Sequence, residues 1–189
     1  MPIRILSVIL ALLSITVMGS TAHAQSEEAQ AAMARLAPLV GVSQVTGVRH
    51  SPNGTTQLSP SQAEGQMILG GHALRETSQI EQQPGDIITL QTEFSFDQFR
   101  DRYRIAVLDD DFGLMDIYEG RFISDTILVA TNLRSDTHFP LEDGRAMHFQ
   151  LRWDFSEPTV HFDVFLTVDG GATWMPFFEL EYAHATSAE

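Results

Sequence analysis

The chain has 189 residues, 43% apolar and 19% charged, enough for one sizeable core and too apolar for a chain disordered throughout. It has no Cys, which excludes disulfides, thiolate metal sites and a Cys nucleophile, and all 11 basic residues are Arg, which excludes a Schiff-base lysine. Its formal charge of −14 repels phosphate backbones and argues against nucleic acid as a partner.

Arg4, the apolar run Ile5 to Met18 and the small-residue stretch Gly19 to Ala24 have the order of a secretory signal, with cleavage after Ala24. The run is shorter than the roughly 20 residues that a spanning helix needs. Residues 1–24 are therefore read as a signal peptide, 25–41 as a helix with its lead-in, and 42–189 as a single β-barrel domain. The leader carries one Arg and no acid, so its removal leaves 165 residues at a formal charge of −15. The sequence predicts a periplasmic or secreted protein with no stable membrane insertion.

From Ser26 to Val40 the spacing of Ala29, Met33, Leu36 and Val40 predicts one amphipathic helix. Ser26 is placed to cap it, and Glu27 and Glu28 suit the positive end of its dipole. The period then changes to two. Alternating runs bounded by turn residues predict strands at 42–49, 57–69, 73–81, 87–96, 102–108, 114–123, 127–133, 145–155, 159–168 and 173–184. Connections this short suit antiparallel neighbours, and ten strands in an up-and-down order remove their exposed edges by closing. The expected fold is all-β: an antiparallel calycin-like β-barrel of about ten strands, with one short N-terminal helix across a mouth.

Parity along the strands assigns the interior. Met147, Phe149, Leu151, Trp153 and Phe155 share one face of their strand, and Phe178, Leu180, Tyr182 and His184 share one face of the last. An aromatic-rich interior with few polar groups suits a small apolar or amphipathic ligand, with Tyr103, Tyr118, Phe149 and Trp153 as the expected contacts. The same residues also serve a barrel that is simply filled, because burying a large side chain stabilises a fold by about 1.5–3 kcal/mol. Phe165 breaks the polar pattern of its outer face, which leaves room for a homo-oligomer.

Leu39-Val40-Gly41, Gly65 to Gly71 before Leu74-Arg75-Glu76, Phe94-Ser95-Phe96-Asp97, Tyr118-Glu119-Gly120 and Asp169 to Trp174 follow one another as in the bacterial family called domain of unknown function 1579 (DUF1579). The chain resembles that family over roughly residues 36–184. The resemblance implies a calycin-like barrel, related in shape to lipocalins and haem-binding nitrobindins, and implies no activity. A late His is the haem ligand in nitrobindin-like barrels, which makes His184 the residue to test for that cofactor.

Thr167-x-Asp169-x-Gly171-x-Thr173-Trp174 matches an Asp-box, read here as a structural hairpin. Arg100, Arg102 and Arg104 share one strand face, and Glu119 on the next strand is their expected outward partner. Asp109, Asp110 and Asp111 lack the spacing of a calcium loop and read as a solvated turn. The sequence has no Gly-x-Ser-x-Gly, His-Glu-x-x-His or Gly-x-Gly-x-x-Gly, so an enzyme is less expected than a binding protein or a structural module.

Overall fold

The computed structural model describes residues 26–83 and 85–184. The expected leader and its cleavage point after Ala24 lie outside them. The Ser26 hydroxyl accepts the Ala29 N–H at 3.1 Å and starts helix α1, Glu27–Ala34. The helix is shorter than its spacing predicts. Pro38 lacks an N–H, and its ring would clash with the Ala34 carbonyl, so the chain leaves the helix at Arg35 and makes a separate 3-10 turn at Ala37–Leu39. That exit puts Leu39 in the core in place of the expected Val40, which is exposed.

Among the described residues twelve strands follow: β1 (Gly41–Ser51), β2 (Gly54–Gln57), β3 (Ser61–Ile68), β4 (Ala73–Gln83), β5 (Asp86–Asp97), β6 (Arg102–Asp109), β7 (Met115–Phe122), β8 (Ile127–Thr131), β9 (Phe139–Pro140), β10 (Ala146–Asp154), β11 (Val160–Thr167) and β12 (Met175–His184). Ten of them close a ring in the order β1-β3-β4-β5-β6-β7-β8-β10-β11-β12, every neighbour antiparallel. The seam pairs β1 with β12 from Ser43 opposite His184 to Arg49 opposite Phe178. The short strands β2 and β9 ride on β1 and β10 outside the ring. The run predicted as one strand over 57–69 is divided at Leu58-Ser59-Pro60: the Leu58 N–H turns back to the Gly47 carbonyl at 2.9 Å, and Pro60 has no donor for a ladder.

Helix α1 lies across one end of the ring. The Tyr103 hydroxyl donates to the Ala32 carbonyl at 2.6 Å, and the Arg35 guanidinium donates to the carbonyls of Ser124 and Asp125 at 3.1 and 2.8 Å. Arg35 also lies over the Phe122 ring, 3.4 Å from its centroid. The lead-in presses on β3 at Gly65, where an added Cβ would lie 1.8 Å from the Leu39 carbonyl oxygen. Met33, Leu36 and Leu39 thereby join the barrel core.

The parity of β12 shifts at a bulge. Val164 faces Phe178 and Phe165 faces Pro176, so Phe177 is the extra residue. Its ring packs against Phe178 at 4.4 Å and Phe149 at 6.0 Å, although strict alternation sends it outward. The hairpin before it is tied as the Asp-box pattern predicts: Asp169 accepts the Thr167 hydroxyl at 2.6 Å and the Thr173 N–H at 3.0 Å. These bonds hold its carboxyl far below the usual range. In the Asp109–Asp111 turn, Asp109 accepts the Phe112 N–H and Asp110 accepts the Thr89 N–H, both turn-fixing contacts.

Candidate functional site

Strand alternation sends every second side chain into the ring, and burial along these inward rows is uneven. At mid-height the inward residues are buried, among them Phe94, Ile105, Leu128, Trp153, Phe162 and Leu180, and near α1 Tyr103 is buried while Phe96, Phe122 and Phe155 stay partly exposed. At the opposite end, inward Ile88, Leu90, Val107, Phe149, Val164 and Phe177 pack on the core yet stay partly exposed. One end is crossed by a helix, and at the other these partly exposed side chains form an apolar rim, called the cup below.

Beneath the cup lies a polar set on inward positions of adjoining strands. Glu76 is 4% exposed, and Ser78, Thr92 and Tyr182 are buried with it. The Tyr182 hydroxyl donates to Glu76 Oε1 at 3.5 Å and accepts from Ser78. Burial pushes the Glu76 carboxyl from its ordinary 4.5 up to about 7, with Tyr182 partly opposing the rise. Tyr182 itself is pushed well above 10, first by burial and then by the charge of Glu76. A second knot stands on β7, where Asp116 accepts from Asn132 Nδ2 at 2.8 Å and from the Thr137 hydroxyl. It also holds Tyr118, whose phenol burial raises well above its ordinary value. Asn132 Oδ1 accepts the Phe149 N–H at 2.7 Å, so this knot fixes the cup wall.

The five residues named from the sequence fall at different heights. Phe149 lines the cup. Tyr118 is buried at mid-height against Asp116. Trp153, 2% exposed, is stacked on Phe162 with centroids 4.7 Å apart and edge-on to Phe94 at 5.2 Å. Tyr103 sits under α1 between Phe96 and Phe122, and burial pushes its phenol up to about 12. His184 is exposed at the α1 end, its Nδ1 3.4 Å from the Ser43 hydroxyl. Among the described residues no group of three or more His, Cys, Asp or Glu is placed to hold a metal ion, and no helix is long and apolar enough to cross a membrane.

Sequence reasoning passed over Glu76 as a site residue. Leu74, Glu76, Ser78 and Ile80 share one parity, so a carboxyl on an inward row was a visible signal. The arginines meet their expected partner: Arg102 and Arg104 both donate to Glu119 on the outer face, while Asp97 takes Arg100 at 3.1 Å and Arg104 at 3.6 Å.

No family model matches the chain, and no curated protein does. The resemblance to DUF1579 therefore stands on its motifs alone. Among solved structures, the chain is similar to a redesigned β-barrel, at 13% identity and a TM-score of 0.43 over 80% of this chain and 96% of that one. It is also similar to the crystal structure of Rv2717c from M. tuberculosis, at 12% identity and a TM-score of 0.55 over 82% of this chain and 98% of that one. Identity at this level shows a shared fold: the chain is a closed antiparallel β-barrel.

Proposed function

We propose that the protein binds a small amphipathic molecule in the cup of the barrel, as an exported protein of the periplasm or the extracellular space once residues 1–24 are removed. The ligand's apolar body rests on Leu90, Val107, Phe149 and Phe177, and its polar group points down toward Glu76, Ser78 and Tyr182. The observation that carries this reading is a partly exposed apolar rim of Leu90, Val107, Phe149 and Phe177, at the end α1 does not cross, above the buried polar set of Glu76, Ser78 and Tyr182. The buried carboxyl supports it as well. An ionisable group in a packed interior costs stability, and orienting a ligand is a use that offsets the cost.

The dense stack of Phe94, Trp153 and Phe162 favours a second reading, in which the barrel is filled and serves as a structural module. Nile red, a neutral apolar dye, separates the two. The cup reading expects saturable, blue-shifted emission that Leu90→Arg abolishes while the circular dichroism spectrum is preserved. Native mass spectrometry of protein purified from its own host is expected to show a bound small molecule. A chain that takes up neither dye nor host ligand is the filled module.

A further inference from the structure

The outer face of β6, β7 and β8 gathers positive charge that the cup does not use. Six of the ten described arginines stand there or beside it: Arg35, Arg100, Arg102, Arg104, Arg121 and Arg134. This is against the trend of a chain with 25 acids and a formal charge of −14. Glu119 is already claimed by both Arg102 and Arg104, and those two contacts hold its carboxyl below the usual range. Arg121 and Arg134 are exposed and have no ion-pair partner among the described residues. Arg121 donates only to a neutral carbonyl, that of Arg100, at 3.2 Å.

Arg102, Arg121 and Arg134 border a trough of about 560 Å³ whose other walls are Gly120, Val129, Thr131, Leu133 and Glu119, the last already held by Arg102 and Arg104. A second hollow of about 540 Å³ runs under α1 toward Phe122 and shares Arg102 and Arg121 with the first. Volumes of this size suit small molecules. A planar guanidinium presents paired donors that match a carboxylate or phosphate, and an acidic molecule that keeps several of them uncompensated at one place holds a local field favourable to anions.

The geometry points to a second binding site, on the outer wall of the barrel, for a small organic anion. Its carboxylate or phosphate head is held by Arg121 and Arg134 beside Arg102, and its compact apolar body lies on Val129 and Leu133. The site is separate from the cup and does not depend on it.

Phenyl phosphate and benzoate are the probes, with inorganic phosphate and the cation benzylamine beside them, each titrated into the full chain and followed by amide chemical shifts. The expected result is a saturable shift centred on Gly120, Val129, Thr131 and Leu133 with both aromatic anions, weaker with inorganic phosphate and absent with benzylamine. The double variant Arg121→Gln/Arg134→Gln weakens phenyl phosphate binding about tenfold or more. Arg145→Gln, remote from the trough and paired with Asp143, leaves it unchanged. Nile red binding is unaffected by phenyl phosphate, which keeps failure of the cup distinct from failure of the trough. No saturable shift, an equal response to benzylamine, or a response that survives the double variant overturns the site.

Discussion

The burial of Glu76 makes the stability of the fold depend on pH. In the folded protein burial keeps its carboxyl protonated up to about pH 7, whereas the unfolded chain ionises it near its ordinary 4.5. The sign follows from proton uptake. Below the lower value both states are neutral and the group costs nothing electrostatically; as pH rises toward 7 only the unfolded state gains by ionising, so stability falls and then levels off. The shift corresponds to about 3 kcal/mol across that window. Glu76→Gln keeps an acceptor for Tyr182 and removes the titration. Urea unfolding is expected to find the variant more stable than wild type at pH 8 by up to about 3 kcal/mol, with the difference nearly gone at pH 4.5. A difference independent of pH would show that Glu76 is not held neutral. The inward parity of Glu76 can be read from its spacing to Leu74 and Ile80. Its partner cannot, because Tyr182 comes from a strand 106 residues away.

At the scale of elements, the sequence shows the strands through their two-residue rhythm and shows their ends through Gly, Pro and Asp. The Asp-box hairpin is legible to the bond, since Asp169 and its threonine partners lie within a few residues of one another. Other features depend on contacts across the fold. The bulge at Phe177 offsets β12 against β11, and no local pattern announces it. The docking of the lead-in also depends on a distant residue, Gly65, whose missing side chain lets the Leu39 carbonyl come close. Gly65→Ala is expected to lift the 3-10 turn off β3 and cost about 2 kcal/mol or more in urea unfolding, because backbone rather than a flexible side chain must move. Faster amide exchange in α1 should accompany the loss. Unchanged stability and exchange would mean that the lead-in does not bear on β3.

For the whole molecule the decisive event is closure, and the seam between β1 and β12 has one narrow point. A Cβ at Gly47 would lie 2.2 Å from the Glu179 carbonyl oxygen and 2.8 Å from Leu180 Cδ2. Gly47→Ala is therefore expected to loosen the seam, with amide exchange rising along Thr46 to Val48 and Glu179 to Glu181 while the β4–β5 ladder keeps its protection. Equal protection in wild type and variant would place closure elsewhere. The sequence by itself determined the all-antiparallel order and the inward rows, because alternation and turn length are local properties of the chain and short connections leave few topologies to choose from. It also determined the pairing of Arg102 and Arg104 with Glu119, since adjacent strands in a meander bring those faces together. Only the tertiary structure decided which end of the barrel α1 crosses, which aromatic residues are buried and which stay partly exposed, and that a carboxyl is buried among them. Those outcomes depend on the stagger of ten strands around a closed ring and on where a short helix comes to rest, and neither is encoded within reach of a single element.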